Sequence, residues 1–296
     1  MSGFLRHIRA LNAHRPEDFY PLWIGEVPVG RLCAQMRERL LAEPQVFEPR
    51  GRGLALHGRL SDYRSRTQAV AEVLPRLVDE GELDVLLDEP YPVTASGPDA
   101  ALMEVDRAAA ALFGLRTFGQ HLNGLVPKDG SLCMWLARRS ADRRVHPGKL
   151  DQLVAGGLPV GISAAENLLK EAWEEAGIEP GLAGMARPAG ALSYNQDVEY
   201  GNAKKGYKYD VLYCYDLFLP QSFQPRCQDG EVESFELLPV EEVMGILSAS
   251  DDFKPNCSLV VLDCLVRHGY LGPEHPDYLE IVTSLCPPMV PINTTS

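Results

Sequence analysis

The chain has 296 residues, 45% hydrophobic and 23% charged, an ordinary globular composition with room for one or two domains. A formal charge of −13 at pH 7 works against a nucleic-acid backbone as partner, and no stretch reaches the roughly eighteen uninterrupted apolar residues of a membrane span. Seven scattered cysteines without a Cys-x-x-Cys pair argue against a disulfide framework or zinc knuckle and for reduced thiols in a cytoplasmic protein.

In chain order, residues 4–87 mix two amphipathic helical stretches, 29–44 and 65–83, with a short alternating run at 53–58, the pattern of a small α/β module. The segment 88–100, DEPYPVTASGPDA, is rich in turn-forming residues and is predicted to be a linker, which divides the chain into an accessory module, 1–100, and a second domain, 101–270. A helix is predicted over 101–115 and strands over 121–127 and 132–140. The second of these ends in Arg138 and Arg139; alternation sends them to opposite faces, so at most one reaches an anionic ligand, and Arg138 is the candidate.

Beyond a loop at 141–151 lies GGLPVGISAAENLLKEAWEEAGI, residues 156–178. A polar, Gly-rich segment at 193–209 is predicted to be a loop beside a pocket. Tyr207, Tyr209, Tyr213 and Tyr215 alternate on one strand face, which suits packing under a helix or under the N-terminal module better than a stacking platform for a heterocycle. Helical patterns near Val240 and Leu259 follow, and 271–296 reads as a C-terminal tail. Strands and helices intermix, so the class is α+β or α/β.

Residues 163–177 carry the clearest local signals. Ser163 and Glu166 form a capping box, so a helix starts near Ala164, and Gly177 ends it in the left-handed conformation. Ala165, Leu168, Leu169, Ala172, Trp173 and Ala176 follow helical spacing and define an apolar face, which leaves Glu171, Glu174 and Glu175 on neighbouring turns of the exposed side. Like charges at that spacing repel, and two of them oppose the helix dipole, so local stability does not explain them. Glycines at 156, 157 and 161 let backbone approach an anion closely, and hard divalent cations such as Mg²⁺ prefer carboxylate oxygens.

The stretch resembles the box of the Nudix hydrolase family: Gly156, Glu171, Ala172, Glu174, Glu175, Gly177 and Ile178 fall in register, while the first Glu of the pattern is Ile162 and its Arg is Lys170. The resemblance implies a mixed sheet between helices, an α+β Nudix fold preceded by the α/β accessory module. It also implies Mg²⁺ or Mn²⁺ bound through Glu171, Glu174 and Glu175; Gly156, Gly157, Arg138 and Lys170 are the candidate substrate-binding residues. FGQHLNGLV, WLARRS, PGKLDQLVAGG and DGEVESFELLP more loosely resemble the Nudix part of fungal thiamine pyrophosphokinases. The implied reaction is hydrolysis of a diphosphate linkage in a small metabolite, with analogues of thiamine diphosphate as one substrate class and a homodimer as a further expectation. Catalytic roles fall to Glu174 and to Glu231, which follows an Asp-Gly turn and alternates with Glu233 on a predicted strand. The rival reading is a module that keeps the fold to sense a phosphorylated metabolite.

Overall fold

The computed structural model describes residues 3–200 and 204–287. Phe4, Leu5, Ile8 and Leu11 give helix α1 (Gly3–Leu11) one apolar face. After it comes a four-stranded sheet of β1 (Phe19–Ile24), β2 (Val27–Cys33), β3 (Phe47–Arg50) and β4 (Gly53–Leu56), in the order β2-β1-β4-β3, with α2 (Ala34–Leu41) between β2 and β3. The helix predicted over 29–44 starts only at Ala34, because Val29 to Cys33 are buried as strand against β1 and the Cys33 sulfur caps α2 by accepting from the Met36 N–H. The pattern at 65–83 becomes two helices, α3 (Tyr63–Ala71) and α4 (Leu74–Asp79); Pro75, which has no N–H to donate, sits at the start of α4 where none is needed.

Residues 88–115 overturn two expectations. The segment taken as a linker forms β5 (Pro90–Val93), and the predicted helix is in its first part β6 (Met103–Asp106), paired antiparallel to β5. Tyr91 and Val93 on one strand and Met103 and Val105 on the other recur at period two and are buried, so tertiary packing outweighs both the turn-rich composition and the helix propensity.

The main sheet comprises β7 (Arg116–Lys128), β8 (Ser131–Arg139), β9 (Leu150–Gln152), β10 (Val154–Gly157), β11 (Arg187–Tyr200), β12 (Lys204–Phe218) and β13 (Val232–Pro239). Its order is β11-β12-β7-β8-β13, with β12 parallel to β7. On the side away from β12, β7 has two partners in succession, β8 over 124–128 and β10 over 119–122. The segment expected as a pocket loop at 193–209 is instead the hairpin of β11 and β12, except for residues 201–203, which lie outside the described residues.

Two layers of helix cover this sheet. On one face α5 (Ala164–Ala176), followed by the short α6 (Pro180–Ala183), packs Leu168, Ala172 and Ala176 against Leu122, Val126, Trp135 and Val154. On the other, α7 (Val240–Ala249), α8 (Pro255–Arg267) and α9 (Tyr278–Leu285) join Leu125, Met134, Leu136 and Leu212. α1 belongs to this second layer: its four apolar residues lie in the same cluster, and Arg6 and His7 bond the Ser248 and Leu247 carbonyls at 2.9 and 2.8 Å. Each fully buried aliphatic side chain here contributes about 1.5–3 kcal/mol. Residues 271–296 are thus not a loose tail as far as Leu285, since Ile281 and Leu285 are core; residues 288–296 lie outside the described residues. Tyr207 and Tyr209 close the core of the N-terminal module, as the packing reading of the tyrosine face expects.

Candidate active site

α5 forms as its sequence specifies. Ser163 and Glu166 make the reciprocal capping box, and Gly177 ends the helix at φ 64°. Its orientation corrects the sequence reading. Glu175 is 8% exposed and sits in the buried stripe with Leu168, Ala172 and Ala176, whereas Trp173 is 43% exposed and Ala165 also faces outward. The spacing i, i+4, i+7, i+8 from Leu168 takes in Glu175, so the buried face is turned away from Ala165 and Trp173 and toward Glu175.

Strand β10 fixes the carboxylates. The Ala155 N–H donates to the Glu175 carboxylate at 2.7 Å. One residue on, a Cβ added at Gly156 would stand 2.6 Å from Glu171 Cδ, so any larger residue would have to move the Glu171 carboxylate from this place. At Gly157 an added Cβ would overlap the Tyr91 hydroxyl and lie 2.9 Å from the ring carbon that bears it. Asn167 Nδ2 ties the helix to this strand, donating to the Gly157 carbonyl at 2.8 Å and to Gln120 Oε1 at 2.6 Å. Gly156 and Gly157, expected in an open substrate loop, are therefore sheet residues paired with Gln120 and Gly119; the loop proper holds Gly161 at φ 86°.

The charges are arranged unevenly. Burial, then the negative charge of Asp151, pushes the Glu175 carboxyl up to about 8 against the pull of the Ala155 N–H, and Glu171 adds to the rise. Glu171 is also raised, by burial first, with Lys170 opposing and Glu174 and Glu231 reinforcing. Glu174 is more open and pairs with Lys170 Nζ at 2.8 Å; the same nitrogen lies 3.4 Å from Glu171. Lys170, expected to meet substrate, is thus engaged with the acidic cluster itself. Glu231 lies just before β13 and is ion-paired with Arg143; a bulge between Val232 and Ser234 breaks the alternation with Glu233 that its sequence suggested. Arg138 does not point at the carboxylates. Its guanidinium donates to the Gly148 carbonyl at 2.9 Å and lies 3.5 Å from Glu236 on β13.

A second buried polar cluster escaped the sequence reading. Asp151 on β9 is 3.0 Å from Arg139, 3.1 Å from Lys254 and accepts from the Cys257 thiol at 2.6 Å. Burial alone raises its carboxyl, but Lys254, the Cys257 bond, His121 and Arg139 outweigh it and bring it to about 2. His121, held by Gln152 at 2.7 Å, is kept down at about 4 by burial and then by Lys254. These groups come from segments spread over 121–257, and no spacing within any one segment announces them.

Among the described residues, three ligand atoms converge within 4.8 Å at His121, Asp151 and Cys257 and at Asp216, Cys264 and His268. Neither group suits a cation, because Asp151 already faces Lys254 and Arg139, and Asp216 is bonded by Arg267, His268 and Asn123. The box is the reverse case: burial raises both Glu175 and Glu171, like charges add to the rise, and carboxylate oxygens in such a place fit a hard divalent cation. Glu171, Glu174 and Glu175 do not converge to 4.8 Å as they stand, since Lys170 draws two outward while Glu175 turns in to β10.

A capped acidic helix behind a glycine strand, on a mixed sheet covered on both faces, is the arrangement that the Nudix resemblance predicts. Comparison with known proteins agrees. Residues 124–257 match the model of the NUDIX domain, and residues 3–117 that of a domain of unknown function, DUF4743. Nudix hydrolase 20, chloroplastic, of Arabidopsis thaliana is 40% identical, over 96% of this chain and 78% of its own. An uncharacterized protein of Saccharomyces cerevisiae, YJR142W, is 35% identical over 76% of this chain and 68% of its own. The crystal structure of DR0079 from Deinococcus radiodurans is 19% identical, with a TM-score of 0.45, over 60% of this chain and all of that one. The chain belongs to the Nudix hydrolase family. It is an α+β pyrophosphohydrolase acting on a small phosphorylated metabolite.

Proposed function

We propose that the chain is a Mg²⁺- or Mn²⁺-dependent hydrolase that splits the diphosphate of a small metabolite, with oxidised or analogue thiamine diphosphates, cleaved to the monophosphate, as the first class to test. The observation that carries this is Glu175: a buried carboxylate set beside Glu171 and Asp151, with the Ala155 N–H donating to it. Burying charge this way costs stability unless something binds there. Glu171 and Glu175 would hold the cation, with Glu174 as the third, outer carboxylate. When bound, the cation neutralises phosphate charge and acidifies water near neutral pH.

The chain's own groups divide the remaining work. Glu231, whose charge Glu171 senses and which is ion-paired with Arg143, would take a proton from the attacking water. Glu174, on the open side of α5, is the alternative acceptor. No helix among the described residues is long and apolar enough to cross a membrane. The seven free cysteines suit a reducing compartment such as the cytoplasm.

The thiamine class rests on the sequence resemblance stated above. The sensing alternative draws on Ile162 and Lys170, the two departures from the family pattern. One experiment separates them: product formation with and without Mg²⁺ over thiamine diphosphate, its oxo and oxy analogues, nucleotide sugars, dinucleotides and nucleoside triphosphates, with Glu174→Gln and Glu231→Gln alongside. Metal-dependent cleavage that falls in these variants supports the enzyme reading, and the ranking of substrates decides the thiamine class. Tight binding of one compound without turnover favours the sensor.

A further inference from the structure

The N-terminal module meets the box at one strand. Tyr91 of β5 is 5% exposed and points its hydroxyl at Gly157, where any Cβ would displace it. The Val160 N–H donates to the Pro90 carbonyl at 2.9 Å, so β5 is tied to the residues on the far side of Gly157 as well. Arg107 lies beside the Tyr91 ring, 5.9 Å from its centroid, and is anchored to Glu89 at 2.6 Å. Glu89, Tyr91 and Arg107 are all residues of the 3–117 segment.

Successive residues of a strand direct their Cα–Cβ bonds to opposite faces. Gly156 gives up its Cβ to Glu171 on one face, and Gly157 gives up its Cβ to Tyr91 on the other. Ala155, one residue earlier, donates its N–H to Glu175. The same three residues of β10 therefore receive both buried box carboxylates and the side chain of the accessory module.

We infer that Tyr91 is a positioning residue: the N-terminal module presses β10 from the face opposite Glu171 and so sets the distance between Glu171 and Glu175 at which a divalent cation is held. This rests on the metal reading proposed above. It assigns the accessory module a share of the catalytic geometry rather than a separate activity. Losing such support is expected to weaken metal binding in the range of about 10–100-fold, as loss of an outer contact to a metal ligand does.

The test uses the full chain and Mn²⁺ alone, with binding followed by electron paramagnetic resonance and folding by thermal melts. Gly157→Ala forces a methyl group against the Tyr91 hydroxyl and is expected to raise the Mn²⁺ dissociation constant at least about tenfold. Tyr91→Phe combined with Gly157→Ala deletes the oxygen that the new methyl strikes, leaves the ring carbon 2.9 Å from it, and is expected to recover part of that loss. Recovery of Mn²⁺ affinity in the double variant, with both variants still fully folded at the temperature of the binding measurement, supports the inference. Wild-type affinity in folded Gly157→Ala overturns it, and so does a folded double variant no better than the single one. Wild-type protein that binds no Mn²⁺ overturns the metal reading and this inference together, an outcome distinct from the other two.

Discussion

Asp151 and Glu175 are both buried carboxylates, at 5% and 8% exposure, yet their surroundings drive them in opposite directions. Asp151 has Arg139, Lys254 and a thiol, and its carboxyl is brought down to about 2. Glu175 has one backbone N–H and two negative neighbours, and its carboxyl is pushed up to about 8. A satisfied buried charge holds a fold together. A buried charge left among like charges is a place where the fold has given up stability for chemistry.

The comparison breaks most visibly at Glu175. Glu175→Gln keeps the shape and removes the charge, so hydrolysis is expected to fall by more than the roughly 100-fold that bounds losses from outer contacts, while the melting temperature stays level or rises. A variant that melts earlier and keeps its turnover rate would reverse the assignment of the two carboxylates. Asp151→Ala should do the opposite: it strands Lys254 and Arg139 and is expected to cost about 3–5 kcal/mol in urea denaturation.

The pH dependence sharpens the contrast. Glu175 has a folded value above its ordinary 4.5, so its contribution is fully present below about 4.5 and is lost as pH rises through about 8. Asp151 has a folded value below its ordinary 3.8, so its contribution is present above about 3.8 and is lost as pH falls toward about 2. Melts of metal-free protein in chelator should therefore show a decline from pH 5.5 to pH 8 that Glu175→Gln removes. Added Mn²⁺ should raise the melting temperature more at pH 8 than at pH 5.5; equal shifts would count against Glu175 as a ligand. The smallest effect is expected at Arg138→Ala, below about 1 kcal/mol in both urea denaturation and kcat/KM, because its partners are the exposed Glu236 and one carbonyl.

Much of the site was legible because its signals are local. The cap at Ser163 and the stop at Gly177 act within one turn of chain, and the structure keeps both; Gly156 and Gly157 work instead through Glu171 and Tyr91, contacts that no local pattern shows. Glu175 was assigned to the wrong face because a glutamate weighs against burial in any hydrophobic template, although its spacing from Leu168 and Ala172 marks the buried stripe. β5 and β6 were lost to composition: prolines and alanines suggest turn and helix, and only their pairing with each other makes them strands. The Asp151 cluster had no local signature at all, since Arg139, Asp151 and Lys254 meet only once β8, β9 and the start of α8 are in place.

The position of α1 has a consequence for how the molecule is made. Phe4, Leu5, Ile8 and Leu11 have their partners in helices that end at residue 285, so they leave the ribosome long before anything exists to cover them. At about 5–20 residues per second the wait is on the order of 15–60 s, during which the four-stranded sheet has time to close while α1 stays without its partners. Expressing residues 101–287 by themselves would leave the same groove open between α7, α8 and α9, and co-supplying the α1 peptide in trans is the direct way to refill it.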